Sequence, residues 1–160
     1  MPVLEINDEN GHWFLSQSAV ICRFLAQRFK LTGKNEKEAA MCEEVVSGLH
    51  EAFDRALPQY YMDDEEFRKK TFERLETNEY PRCLGALEKR LKENGGKFMV
   101  GDQYTWADVA VAWLMRGCQS YAKPAAKLLD KYPGLWELTE RIEKVPSVAE
   151  YLKTRPESDV

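Results

Sequence analysis

Residues 14–29 read FLSQSAVICRFLAQRF, and this stretch decides how the front of the chain folds. Within it, Ser16-Gln17-Ser18 separates a short β-like run from a strongly apolar helical segment. Serine is a preferred N-cap residue, so one interpretation is that these residues only start a helix. A second interpretation is anion binding, because a helix N-terminus offers unpaired N–H donors and a positive dipole potential to a carboxylate. Residues elsewhere in the chain are needed to choose between the two.

The composition is that of a folded protein without electrostatic affinity for nucleic acid. The 160 residues suffice for one domain, or for one domain and a fragment of another. Hydrophobic residues make up 44% and charged residues 31%, and the net charge of −4 argues against binding to DNA or RNA. No basic segment followed by an apolar one opens the chain, and the longest apolar stretch, residues 109–115, is too short to span a bilayer. We therefore expect neither a secretory signal nor a membrane partner.

The cysteines indicate a reducing environment. They are scattered, without a CxxC pair or histidines at metal-binding spacing, and they are Cys22, Cys42, Cys83 and Cys118. Each falls in an apolar helical stripe, which predicts small buried thiols and no metal site. The simplest interpretation is a reduced, cytoplasmic protein.

The front of the chain predicts a β-hairpin. Residues 3–6 form a strand-like run, residues 7–11 have turn chemistry, and residues 12–15 predict a second strand. An isolated hairpin is marginal in water, so this one needs support from a larger sheet.

The rest of the chain predicts helices. Apolar residues recur at helical spacing over 20–29, over 41–57 up to Pro58, and from the acidic run at 63–66 through Leu91. We expect a kink or break at Pro81 and a helix end at Gly95-Gly96.

The segment Thr105-Trp106-Ala107-Asp108 predicts an Asp variant of the capping box. The Thr105 side chain would accept a hydrogen bond from the Asp108 N–H, and the Asp108 carboxylate would accept one from the Thr105 N–H. The helix that follows, Val109 to Cys118, is apolar on all sides, which predicts the buried centre of a bundle. The fold is then mostly α: a β-hairpin plus one helix, followed by an all-helical unit. We place the boundaries at 1–30, a linker at 31–35, and 36–160.

Several motifs in this order and spacing resemble the cytosolic glutathione transferases, in particular the sigma-like class, over essentially the whole chain. They are MPVLEI at 1–6, Gln17-Ser18 opening a helix that continues ICRFLA at 21–26, Gly101-Asp102 followed by TWAD at 105–108, and the late Tyr132-Pro133, Val145-Pro146 and Arg155-Pro156 steps. The resemblance implies that residues 1–30 are part of a thioredoxin-like, glutathione-binding domain. Residues 36–160 would be the all-α C-terminal bundle.

The resemblance also implies a glutathione site. Pro2 would be the cis-proline of a strand, and the backbone of Met1 would pair with the cysteinyl part of glutathione. Gln17 and Ser18 would bind the γ-glutamyl carboxylate, Ser18 through its hydroxyl and backbone N–H. In this class an acidic side chain from the other subunit of a homodimer meets the γ-glutamyl amine; the matching position is Glu51, where Asp is usual. The alternative interpretation is that Glu51 is an exposed helical glutamate without a role in binding.

The family's fold begins with a β-α-β-α segment before the strand that opens here, which amounts to roughly 45 residues. That segment carries the tyrosine whose hydroxyl stabilises the glutathione thiolate, and no tyrosine of this chain matches its motif. The resemblance therefore implies no catalytic residue within this chain. It also implies little transferase activity for the chain as written.

Three functions stay open from the sequence. The first is a glutathione transferase that joins glutathione, as co-substrate, to small hydrophobic electrophiles; some members of the class isomerise prostaglandin H or bind haem. The second is an inactive family member acting as a ligand-binding, structural or dimer-partner protein. The third is a plain helical interaction domain, which leaves the hairpin unexplained.

Overall fold

A computed structural model describes residues 2–56, 63–121 and 126–156 of the chain. A two-stranded antiparallel sheet precedes a series of helices, as the sequence predicts. The strands are β1 (Val3–Asp8) and β2 (Gly11–Ser16). The helices are α1 (Ser18–Arg28), α2 (Glu36–Ala56), α3 (Glu65–Arg74), α4 (Tyr80–Glu93), α5 (Trp106–Tyr121), α6 (Ala126–Leu129), α7 (Pro133–Glu143) and α8 (Pro146–Thr154).

The hairpin is fixed by its turn and by one apolar face. Val3 pairs with Ser16 at the open end, and Asp8 pairs with Gly11 at the turn. The Asn10 N–H donates to the Asp8 side chain at 3.0 Å, and Gly11 has φ 104°, a conformation that favours glycine. Ile6, 7% exposed, pairs across the sheet with Trp13, whose ring lies 5.4 Å from the Phe24 ring of α1. The hairpin therefore depends on α1 for its burial.

Side-chain caps and prolines set the limits of the third and fourth helices. Asp64 accepts from the Phe67 N–H at 3.0 Å and begins α3, within the predicted acidic run. A π-helical turn, Leu75–Glu79, then joins α3 to α4. The ring of Pro81 crowds the carbonyl four residues earlier, and a wider turn accommodates it. The irregularity expected at Pro81 thus lies one turn before it, and the chain stays helical through the proline.

The helical core lies between α2, α4, α5 and α7. Its buried side chains include Val45, Leu49, Leu84, Leu91, Val111, Met115, Leu135, Leu138 and Ile142. A buried carboxylate joins two of these helices, because Glu88 of α4 accepts from the Leu135 N–H at 3.0 Å and from the Gly134 N–H at 3.3 Å. It thereby satisfies donors at the N-terminus of α7. The helix end predicted at Gly95-Gly96 is confirmed, and that predicted at Pro58 lies outside the described residues.

A buried carboxylate at the start of α5 collects three hydrogen bonds. The Asp108 carboxylate accepts from the Met99 N–H at 2.7 Å, from the Thr105 N–H at 2.7 Å and from the Thr105 hydroxyl at 2.9 Å. Half of the predicted capping box is therefore correct. The other half is wrong, because the Thr105 hydroxyl donates to Asp108 while the Asp108 N–H bonds the Thr105 carbonyl. Burial raises the pKa of Asp108, and these hydrogen bonds oppose that rise.

Helix α5 is not buried on all sides, so that prediction is wrong. Val109 is 41% exposed and Trp113 is 57% exposed, one turn apart on the same face. The opposite face, with Val111 and Met115, is fully buried. Helix α5 therefore has two apolar faces, of which one packs in the core and the other is exposed to solvent.

The segment between α1 and α2 is bonded to the helical unit at both of its ends. The Leu31 carbonyl accepts from the Trp106 N–H at 2.9 Å, and the Lys34 ammonium pairs with Asp102 at 2.5 Å. The Lys34 N–H donates to Glu38 at 2.7 Å. The boundaries proposed at 30/31 and 35/36 stay a prediction.

Replacing Asp108 with Ala should destabilise the helical unit without a direct effect on ligand binding. The change leaves two backbone N–H groups without their acceptor in a buried place, which should lower the free energy of unfolding by about 2–4 kcal/mol. Urea denaturation measures this loss. Asp102→Ala, which breaks an exposed ion pair, is the control and should have a much smaller effect. Equal losses in the two variants would contradict the role given to Asp108.

Candidate functional site

The start of α1 has unusual backbone geometry. Gln17 is the N-cap residue, with φ 75° and ψ 114°, and no side chain in the described part of the chain caps the helix. Ser18 is the first helical residue, so the interpretation of these residues as a simple serine cap is wrong. A non-glycine residue in this region of φ costs of order 1–3 kcal/mol, and such strain often marks a functional position.

This helix start can receive an anion. The first intrahelical bond runs from the Ile21 N–H to the Gln17 carbonyl at 2.9 Å, so the preceding N–H groups have no acceptor within the helix. No acidic residue lies in the first turn, and both Gln17 and Ser18 are exposed. The positive end of the helix dipole is therefore uncompensated and open to solvent, as a carboxylate site requires.

A groove adjoins this helix start, between α1, α2 and α5. Its volume is about 570 Å³, and we call it the α1–α5 groove. Ser18, Cys22, Leu25, Ala26, Phe29, Leu31, Val46, His50, Trp106, Val109, Ala110 and Trp113 line it. Because its walls are largely apolar and aromatic, the groove suits a hydrophobic ligand.

Glu51 does not reach this groove. It lies on α2, is 73% exposed, and its carboxylate is 3.7 Å from Arg55. Both residues line a different groove of about 300 Å³ between α2 and α4, where Arg55 also pairs with Glu79 at 3.1 Å. Ser18 and Glu51 of one chain therefore belong to separate surfaces.

Met1 and Pro2 are the remaining predicted site residues, whereas the two histidines, His12 and His50, are not predicted to belong to the site. Pro2 is exposed, whereas Met1 and the Met1–Pro2 bond lie outside the described residues. His12 is exposed and bonds Glu5 at 2.8 Å, and His50 lies on the groove wall. Within the described ranges, no three His, Cys, Asp or Glu side chains cluster as a metal site would require.

The cysteine prediction is partly wrong. Cys42 and Cys118 are buried and Cys83 is half-buried, as expected, but Cys22 is exposed. Burial raises the pKa of Cys83 to about 11 and that of Cys118 to about 12. Cys22 escapes burial because it lies on the face of α1 that forms the groove wall.

Sequence reasoning missed the groove itself. The signal was present, since Cys22, Leu25, Ala26 and Phe29 recur at helical spacing on one face of α1. That spacing predicts a helix but does not say which of its apolar residues stay open to solvent, as Phe29 does at 67% exposed. None of the helices in the described ranges is both long and apolar enough to cross a bilayer.

Comparisons with known proteins agree with this architecture. Residues 49–155 match the model of the glutathione S-transferase C-terminal domain. A probable glutathione S-transferase 5 of Caenorhabditis elegans is 32% identical, over 98% of this chain and 73% of the relative. The hematopoietic prostaglandin D synthase of Gallus gallus is 30% identical, over 100% of this chain and 75% of the relative. A solved prostaglandin synthase D of Nilaparvata lugens superposes with a TM-score of 0.85, at 23% identity, over 99% of this chain and 75% of that one.

The fold and the helical domain define a glutathione-transferase-like protein. The chain belongs to the glutathione S-transferase family. Its sheet and first helix correspond to part of the thioredoxin-like unit, and its other helices form the C-terminal domain.

Replacing Gln17 with Gly should stabilise the chain, because glycine adopts positive φ without strain. We expect a gain of about 1 kcal/mol, the relief of strain being offset in part by the entropy of the unfolded glycine. The control is Gln27→Gly in the same helix, where Gln27 is an exposed interior residue. That change should cost about 1 kcal/mol. Thermal denaturation compares them, and equal losses would show that Gln17 is unstrained.

Proposed function

We propose that Gln17 and Ser18 bind the γ-glutamyl carboxylate of glutathione. Glutathione would then bind on the same side of the molecule as the α1–α5 groove. The observation that carries this is the uncapped, strained and exposed start of α1. A carboxylate placed there would accept from free N–H groups and from the Ser18 hydroxyl. The family's own substrate has such a carboxylate.

We propose that the chain belongs to the sigma-like class, in a cytoplasmic enzyme that joins glutathione to hydrophobic electrophiles. Such an enzyme holds both reactants close together and lowers the pKa of the glutathione thiol, so that the thiolate attacks the electrophile. Support for the class comes from the motif order of the sequence and from the relative named hematopoietic prostaglandin D synthase. That relative also makes prostaglandin isomerisation a candidate reaction.

We propose a homodimer in which Glu51 of one subunit meets the γ-glutamyl amine bound by the other. The support is that Glu51 is exposed and lies on a surface apart from Ser18 of its own chain. That surface carries acidic and basic side chains together, including Glu51, Arg55 and Arg82. A self-complementary patch of this kind suits a two-fold interface.

A second candidate function is binding of apolar ligands without catalysis. The α1–α5 groove favours it, since its walls include Phe29, Trp106 and Trp113. Haem-like or prostaglandin-like molecules are the ligand class that such walls accommodate. No metal is required of the protein in either function.

Replacing Ser18 with Ala should weaken binding of a non-reactive S-alkyl glutathione by about 1–3 kcal/mol, the value of a charge-assisted hydrogen bond. Titration calorimetry measures the loss. Ser16→Ala removes a nearby exposed hydroxyl that precedes the helix start, and it should leave the affinity unchanged. Unchanged affinity in the Ser18 variant would refute the assignment.

The shared-site model can be tested with mixed subunits. Glu51→Gln should weaken binding of the same ligand, and a mixture of Ser18→Ala and Glu51→Gln chains should regain tight binding at one site per mixed dimer. In that dimer one site has both intact residues and the other has neither. No regain in a verified mixed dimer, or a strictly monomeric protein by sedimentation, would contradict a site shared between subunits.

The transferase activity of the 160-residue chain should be low. Among the described residues that line the α1–α5 groove, none is a tyrosine that could donate to the thiolate. Loss of one positioned donor typically costs about a hundredfold or more in rate. A glutathione-conjugation assay beside a longer relative should show this difference. Comparable turnover would require another thiolate stabiliser.

A further inference from the structure

We propose, on the basis of the function proposed above for Gln17 and Ser18, that Arg23 and Glu43 are positioning residues for that carboxylate site. Their ion pair fixes the start of α1 relative to α2. Arg23 lies on α1 and Glu43 lies on α2, twenty positions later in the chain. Neither residue is assigned a contact with the ligand, so their effect on binding passes through the position of α1.

The two side chains form a bidentate ion pair. The Arg23 Nε donates to one carboxylate oxygen of Glu43 at 2.5 Å, and the Arg23 Nη2 donates to the other at 2.7 Å. The side chains are 42% and 34% exposed, so solvent only partly screens their attraction. Two parallel hydrogen bonds fix the relative orientation of two groups as well as their distance. The pair therefore resists both sliding and rotation of α1 against α2.

The other attachments of α1 to the helical unit lie near its C-terminal end. Ala26 is 2% exposed and packs with the core, and beyond the helix the Leu31 carbonyl accepts from the Trp106 N–H at 2.9 Å. Among the described residues, Arg23 is the only side chain of α1 that makes a hydrogen bond or an ion pair to α2 or α5. It is therefore the polar attachment nearest to the carboxylate site.

The length of α1 converts a small tilt into a large displacement at its start. Ser18 precedes Ala26 by eight residues, which corresponds to about 12 Å along a helix axis. A tilt of about 5° around Ala26 would then move Ser18 by about 1 Å. Hydrogen bonds of about 2.7–3.2 Å lose much of their strength over such a displacement. Arg23 lies between the two residues, where it opposes the tilt.

Contacts with the hairpin do not replace this restraint. The Trp13 ring lies 5.4 Å from the Phe24 ring, and Arg28 pairs with Asp8 at 3.2 Å. Both contacts join the hairpin to α1, so they give α1 no fixed position relative to α2. The Arg23 pair crosses from the front of the chain to the helical unit, which the hairpin contacts do not.

The test measures binding of S-hexylglutathione to single variants by titration calorimetry. Arg23→Gln and Glu43→Gln should each weaken binding by about tenfold, the lower end of what removal of an orienting partner costs at metal sites. The two changes alter the net charge in opposite directions, so a direct attraction between Arg23 and the ligand predicts opposite effects. Equal losses support positioning. Opposite effects, or unchanged affinity in either variant, would overturn the proposal.

Double variants show whether the loss arises at the carboxylate site. Arg23→Gln combined with Glu43→Gln should bind no more weakly than either single variant, because one change already breaks the pair. Ser18→Ala should cost less affinity in the Arg23→Gln background than in the parent chain, because the hydroxyl is then already displaced. Strictly additive losses for Arg23 and Ser18 would contradict a positioning role.

Arg116 provides the matched control. Its Nε and Nη2 donate to Glu143 at 2.6 Å each, which makes a bidentate pair of similar exposure between α5 and α7. Arg116→Gln should leave the affinity unchanged. Urea denaturation should show similar small losses in Arg23→Gln and Arg116→Gln, since partly exposed pairs add little to the free energy of unfolding. A similar loss of affinity in Arg116→Gln would assign the effect to lower stability and overturn the proposal.

Ser18→Ala alone separates this inference from the function on which it rests. If Ser18→Ala weakens binding and Arg23→Gln does not, the carboxylate site stands and the positioning role is wrong. If Ser18→Ala leaves the affinity unchanged, or the 160-residue chain binds no S-hexylglutathione, the site itself is wrong and the positioning role falls with it.

Discussion

The Asp108 carboxylate is the interaction on which the rest of the structure depends. It accepts hydrogen bonds from the Met99 N–H, the Thr105 N–H and the Thr105 hydroxyl, and these bonds fix where α5 begins. Trp106, which follows Thr105, is also held in place, because its N–H donates to the Leu31 carbonyl. One buried carboxylate thus positions the helix that contacts both the core and the front of the chain. Its burial is costly, and three hydrogen bonds offset that cost.

The position of α5 explains why this chain has a groove. The helix buries Val111 and Met115 against the bundle and turns Val109 and Trp113 away from it. Helix α1 follows the hairpin and presents Leu25 and Phe29 towards the same space. Two apolar faces therefore meet without filling the volume between them. Such a groove is apolar, because its walls are helices whose backbone polar groups are already hydrogen-bonded within the helix, so that mainly apolar side chains face the groove.

Local signals in the sequence predict most of the fold. The turn residues at 7–11 specify the hairpin, Asp64 begins α3, and Gly95-Gly96 follow the end of α4. Each of these features is determined by residues within one turn of one another. The exposed face of α5 and the contact of Glu88 with α7 could not be predicted in this way. They depend on residues far apart in sequence, such as Glu88 and Gly134, which are separated by a distance of 46 in residue number.

The candidate site shows the same division between local and distant information. The residue types of Gln17 and Ser18 suggested an anion site at a helix start, and the structure adds what the types do not show, namely the positive φ of Gln17 and the absence of a side-chain cap. A serine that capped its own helix would occupy the donors that a ligand needs. Placing Ser18 inside the first turn leaves those donors free, and the strain at Gln17 is the cost of that placement. The helix start is therefore less stable than a capped one, and it keeps the unpaired N–H donors that the proposed anion site needs.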